Sequence, residues 1–131
     1  MPALPWITVE PATTDQPVVM ASRFEVRSLL AVPGFFITSM ALWRQARRSN
    51  GAIGLALKAD LLKRTFWTVS AWNDRQAIND YARSEPHRSA MKSKRKVMKE
   101  STFTFWSASE FPISWDEVER RIAAERAGRT S

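Results

Sequence analysis

The apolar positions of this chain switch between two periods, and each switch marks an element. From Val18 to Arg27 they alternate, with Met20, Ser22, Phe24 and Val26 on one face of a pleat and Val19, Ala21, Arg23 and Glu25 on the other. Pro33-Gly34 opens a stretch where Phe36, Met40, Trp43 and Arg47 follow one helical line, with Phe35, Ser39, Leu42 and Ala46 beside it. This predicts a helix to about Arg48, ended by Ser49-Asn50-Gly51, with Arg44, Arg47 and Arg48 complementing its dipole. Ala52 to Ala59 alternates again, placing Ile53, Leu55, Leu57 and Ala59 opposite Gly54, Ala56 and Lys58. Small residues on that second face leave room for a neighbouring group. The short link Asp60–Arg64 makes an antiparallel hairpin with the next strand.

That strand, from Thr65, sets Phe66, Thr68, Ser70 and Trp72 against Thr65, Trp67, Val69 and Ala71. Thr and Ser beside large rings suit a strand lining a cavity or an interface, and equally a strand with one damp face. Asn73 or Asp74 then caps a helix carrying Ala77, Ile78, Tyr81 and Ala82. Ser84-Glu85-Pro86 breaks it and starts another, because proline fits a first turn and not a helix interior. In the second helix His87, Ala90, Met91, Lys94 and Met98 form the stripe predicted to face the sheet. Arg88, Lys92, Arg95 and Lys99 follow a solvent side, with Lys94 and Lys96 nearby. Ser101–Ser107 is the last strand. Ser114 caps a final helix, Glu117 completes a capping box, Trp115, Val118 and Ile122 form its apolar edge, and Gly128 ends it.

Before Val18 lie Pro2, Pro5, Pro11 and Pro17. Residues 1–17 read as an extended arm packing Trp6 on the domain or a partner, with a short edge strand at Trp6–Val9 as the alternative. Residues 18–127 form one domain and 128–131 a tail. The order strand, helix, strand, strand, helix pair, strand, helix gives an α+β, ferredoxin-like split βαβ fold: an antiparallel four-stranded sheet with an extra C-terminal helix. Helices on one face leave the other bare, yet both faces carry apolar and aromatic residues. A second copy is the simplest cover, which predicts a homodimer through the sheet face.

The 131 residues suffice for one core. Without cysteine there is no disulfide, thiolate chemistry or cysteine-ligated metal, and a single His makes a multi-ligand metal site a poor expectation. No apolar run reaches membrane-spanning length. Met1–Pro11 lacks the basic start and long apolar region of a signal peptide, so the expectation is a soluble cytoplasmic protein with no membrane partner. The net charge of +7 suits nucleic acid, an anionic surface, an acidic ligand, or simply a solvated basic face.

His87 is the one side chain with an unperturbed pKa near neutrality. A helix N-terminus disfavours the imidazolium there, and Glu85 opposes that effect, so a neutral His87 able to serve as a base is expected. A bland role, bonding the backbone or Ser84, stands beside it.

The run Thr65–Asp74, followed by Ala77, Tyr81, Ser84 and Pro86-His87-Arg88, resembles the dimeric α/β barrel superfamily, closest to an uncharacterised family beside the antibiotic-biosynthesis monooxygenases. The resemblance spans about Val19 to Ile122. It implies a homodimer with a cleft between sheet and helices in each subunit, and relatives that are cofactor-independent quinone-forming monooxygenases or haem-degrading enzymes. The Trp and haem-ligating His of the haem-degrading group fall here on Tyr81 and Met91, so the usual proximal His is not matched and no cofactor is expected.

Three functions follow. The first is cofactor-independent oxygenation of an aromatic or polyketide-like compound, with His87 as candidate catalytic base and Met40, Trp43, Trp72, Tyr81 and Met91 as substrate-binding walls. The second is a non-catalytic dimer that binds a small aromatic molecule, or haem. The third, placed below both, is nucleic-acid binding through the basic second helix, which lacks a helix-turn-helix pattern or an aromatic RNA-binding signature.

Overall fold

The computed structural model describes residues 3–85, 87–108 and 110–130. Among the described residues there are five strands and four helices, the predicted order preceded by one further strand: β1 Ala3–Thr8, β2 Val18–Val26, α1 Val32–Arg47, β3 Ala52–Asp60, β4 Thr65–Trp72, α2 Arg75–Arg83, α3 His87–Lys94, β5 Met98–Ser107 and α4 Trp115–Thr130. They build one antiparallel sheet in the order β1-β3-β4-β2-β5.

The sheet therefore has a fifth strand, which comes from within the expected N-terminal arm. β1 pairs with β3 from Ala3↔Lys58 to Thr8↔Gly54, and the register slips between Leu4 and Ile7, where Pro5 sits. Proline lacks a ladder donor and is tolerated at an edge or an irregularity. Trp6 then lies over Gly54, where a Cβ would come within 2.4 Å of its ring. The close approach foreseen for the small face of β3 is thus made by the chain's own tryptophan. At Gly51 the backbone takes φ 86°, a left-handed turn that leads from α1 into β3.

One sheet face carries α1, α2 and α3. Two cores hold it: Ala46, Leu55, Trp72, Ile78 and Tyr81 form one, and Val26, Val32, Phe35, Ala59 and Phe66 the other. Asp74 is the residue that caps α2, its carboxylate accepting the Ala77 N–H at 2.8 Å. Pro86, read as the first residue of the next helix, lies outside the described residues.

The opposite face is not bare. Val19, Ala21, Val69 and Ala71, all 0 % exposed, pack beneath Ile113, Val118 and Ile122. The cover expected from a second copy is supplied by α4. Polar groups complete the layer. Lys58 donates to Glu119 at 2.9 Å, and its ammonium lies 5.3 and 5.0 Å from the rings of Trp67 and Trp115. Arg126 donates twice to Glu100 at 2.5 and 3.1 Å. Burial pushes the Glu100 carboxyl upward, but Arg126, Thr102 and Arg23 outweigh it and hold the pKa below the usual value. Ser114 caps α4 by accepting the Glu117 N–H at 3.2 Å. Gly128 does not stop the helix, which runs to Thr130.

The second basic element is shorter than expected. α3 ends at Lys94, a 3-10 turn spans Arg95–Val97, and Met98 already belongs to β5. The helix-favouring composition of this stretch yields to sheet pairing: Val26 lies opposite Met98, Glu25 opposite Glu100, and the Arg27 N–H donates to the Val97 carbonyl. Arg88 and Lys92 remain exposed on α3, and Lys99 is exposed on the strand, where its ammonium pairs with Glu25 at 3.4 Å. The continuous basic helical stripe does not exist. Among the described residues no helix is long and apolar enough to cross a membrane.

Candidate functional site

The two helix-face cores do not close on each other. Between them lies a cavity of about 80 Å³, bounded by α1, the sheet, the end of α2 and α3. At roughly 10–15 Å³ per water it has room for several waters or one small ring. Its sheet side is Met20, Ser22, Leu55, Leu57, Thr68 and Ser70. Thr68 and Ser70 confirm the cavity-lining option for the mixed face of β4. Ser22 and Thr68 hydrogen-bond to each other across the strands. The α1 side is Phe35, Ser39, Leu42, Trp43 and Ala46. Of the two neighbouring lines on this helix, the one with Phe35 and Leu42 faces inward. Met40, expected as a wall, stands on the other line and does not border the cavity.

Tyr81, His87, Ala90, Met91 and Lys94 form the remaining side, as the α3 stripe predicted. Trp72, also expected as a wall, is displaced one layer inward. It is 0 % exposed, its Nε1–H donates to Ser70 Oγ at 2.8 Å, and its ring backs that of Tyr81 at 5.2 Å. Tyr81 in turn meets His87 with ring centroids 4.6 Å apart. Trp72, Tyr81 and His87 thus form an aromatic column, of which the last two reach the cavity. The Tyr81 hydroxyl donates to the Leu42 carbonyl at 3.2 Å, and burial raises its pKa well above the ordinary phenol value. Tyr81 stays protonated and cannot serve as a base at neutral pH.

His87 differs. Its Nδ1 lies 3.3 Å from the Ala82 carbonyl, which only accepts, so Nδ1 carries the proton and Nε2 holds a lone pair in the neutral ring. Burial lowers the His87 pKa below 6.5, and the Ala82 bond opposes this only in part. The expected neutral imidazole follows, through desolvation more than through the helix terminus. Its backbone is fixed from across the cleft: the His87 N–H donates to Gln45 Oε1 at 2.8 Å, while Gln45 Nε2 donates to the Tyr81 carbonyl at 3.1 Å. Sequence reading missed Gln45, since nothing local marks a bond spanning 42 residues. It also passed over Ser22 as a cavity residue, and it read Lys94 only as part of a face. Trp43 borders the cavity with Arg47 stacked 4.9 Å from its ring, and its buried Nε1–H has no acceptor among the described residues.

No group of three or more His, Asp or Glu among the described residues could hold a metal ion. A haem does not fit this site either. The position matched to the proximal His is Met91, and about 80 Å³ is far too little for a porphyrin.

No family model matches the chain, and no curated protein matches it. Solved structures do. A Fusobacterium nucleatum protein provisionally assigned as a monooxygenase superposes with TM-score 0.71 at 7% identity, over 80% of this chain and 48% of its own, so this chain spans about half of it. SnoaB, a cofactor-independent oxygenase from Streptomyces nogalater, gives TM-score 0.61 at 15% identity over 76% of this chain and 99% of its own. A Deinococcus radiodurans protein provisionally assigned as an antibiotic-biosynthesis monooxygenase gives 0.64 at 12%, over 74% of this chain and 97% of its own. With its antiparallel sheet, its helix-covered cleft and these structural neighbours, the chain has the same ferredoxin-like fold as these structures.

Proposed function

We propose that this chain is a monooxygenase-like enzyme that oxygenates an enolisable aromatic or polyketide-like molecule in the sheet–helix cleft without a cofactor. The observation that carries this reading is His87: a cavity-lining imidazole, kept neutral by burial, with Nδ1–H engaged by Ala82 and the Nε2 lone pair available. Nε2 takes a proton from a ring methylene or hydroxyl, leaving a delocalised carbanion or enolate. That anion is electron-rich enough to react directly with dioxygen, the oxidant. For an anthrone-type methylene, two C–H bonds are lost, one oxygen atom becomes the new carbonyl and the other leaves as water. The cavity takes about one ring, so a larger substrate would extend beyond it.

The test is dioxygen uptake with anthrone in chelator-treated buffer, with anthraquinone followed by absorbance. The proposal expects turnover above the spontaneous rate that vanishes in His87→Ala while the fold persists. No acceleration across a panel of anthrones and naphthols would refute it. The smallness of the cavity favours a second reading, a non-catalytic binder of a single-ring aromatic, which predicts binding without oxygen uptake. Homodimerisation enters from the likeness to the superfamily. α4 packs on the sheet face expected to carry the interface, and the exposed Leu29, Leu30, Ile37 and Leu62 offer a second apolar surface for it.

A further inference from the structure

We infer that the cleft is built for an anion, an aromatic phenolate or enolate whose oxygen pairs with Lys94. The inference deepens the reading of this cavity as a ligand site and rests on it. Lys94 is half-buried at the end of α3 and lines the cavity. Its ammonium lies against the first turn of α1: a Cβ on Gly34 would stand 3.4 Å from Nζ. That turn is the positive end of a 16-residue helix. A cation beside a helix N-terminus is unfavourable unless something negative joins them, and none of the described residues lining the cavity is negative. No carboxylate lines the cavity, and Lys94 makes no ion pair among the described residues. The other titratable groups facing the space are Tyr81, a buried hydrogen-bond donor, and His87, neutral.

The full charge of the lining is therefore one positive group on an otherwise largely apolar surface. Such a site discriminates by charge as well as by shape, because a charge-assisted bond is stronger where water is excluded. The wall rings of Phe35, Trp43 and Tyr81 take an aromatic body, and Lys94 takes the oxygen that becomes negative when the O–H proton leaves. In that step the O–H bond breaks, its electron pair stays on oxygen, and the proton passes to His87 or to solvent. Lys94 thereby stabilises the same anion that the proposed oxygenation requires.

The probe is 4-nitrophenol, whose phenolate absorbs visible light and whose neutral form does not. It is titrated into the full chain on the acidic side of the free probe's ionisation, with 4-nitroanisole as the neutral isostere. The unsubstituted protein is expected to bind the probe as phenolate. Lys94→Met should weaken phenolate binding roughly ten- to hundredfold, the range of a hydrogen bond to a charged group, and abolish the visible band. Lys94→Arg should restore most of the band, and 4-nitroanisole should bind all three proteins alike. Binding of the probe in its neutral form, equal phenolate binding by Lys94→Met, or no binding by the unsubstituted protein would each overturn the inference. An intact phenolate band with no oxygen uptake from any enolisable aromatic would refute the oxygenase reading and leave the anion site standing. Uptake that persists without any Lys94-dependent band would do the reverse.

Discussion

Gly54 and Trp6 make the sharpest test of how the N-terminal segment is held. A Cβ at position 54 would sit 2.4, 2.6 and 2.8 Å from Cζ2, Cε2 and Nε1 of Trp6. Carbon atoms prefer about 3.5–4.0 Å, so the indole must retreat by roughly 1 Å. It cannot retreat freely, because it is stacked on Phe111 with centroids 5.6 Å apart and planes at 10°. Overpacking of this kind costs about 1–3 kcal/mol, and a disturbed aromatic pair adds roughly 0.5–1.5 kcal/mol. Against this, alanine restrains the unfolded chain more than glycine does, a gain of about 0.4–1 kcal/mol. Gly54→Ala should therefore destabilise by about 0.5–4 kcal/mol. In a Trp6→Ala background the obstacle is gone, and the same substitution should be neutral or stabilise by up to about 1 kcal/mol. Urea denaturation of the four proteins, followed by circular dichroism, closes the cycle. An equal cost for Gly54→Ala with and without Trp6 would refute the packing of β1 on β3 described above.

The remaining predictions concern the cleft and the assembly. Because the His87 pKa is lowered on folding, the unfolded chain binds the proton first as pH falls. Stability should decline below the ordinary histidine value of 6.5, and His87→Ala should flatten that decline; an unchanged slope between neutral and mildly acidic pH would contradict the buried, neutral ring. Glu100 is also held low, so its contribution is lost only at more acidic pH, as it protonates; Glu100→Gln should remove that later loss in acid denaturation and leave the histidine region untouched. Gln45→Ala removes the bonds to His87 N and the Tyr81 carbonyl, and should cost about 1–3 kcal/mol in urea melts while slowing any His87-dependent turnover. A specific homodimer should bury more than about 1,000 Å² in total and persist at micromolar concentration in sedimentation; a monomer there would exclude it.

Much of the fold follows from local rules. Alternation on β2 and β4 and the cap at Ser114 are set by residues within a few positions of one another, so the sequence alone determines them. The inward stripe of α3 is equally local, which is why His87, Met91 and Lys94 fall on the cavity side as the spacing predicts. On β3 a register shift between Ala52 and Gly54 turns Ile53 to the α4 side, away from Leu55 with which alternation groups it, and only the structure chooses Asp74 over Asn73 as the cap of α2. What the tertiary structure decides is competition between distant partners. The stretch 95–100 has helical composition, but β2 offers it a ladder, and pairing at Met98 and Glu100 outweighs a propensity of a few tenths of a kcal/mol per residue. Residues 3–8 become a strand because β3 has a free edge. On α1 two adjacent lines are both apolar, and only packing chooses Phe35 and Leu42 over Met40 to face the cleft. Trp72 sits behind Tyr81 for a similar reason: alternation gives its face of the sheet, and the depth of its ring depends on what α2 lays over it. Alternation likewise shows that both sheet faces are apolar, but which body covers the second one depends on where α4 docks, and that is a property of the folded chain.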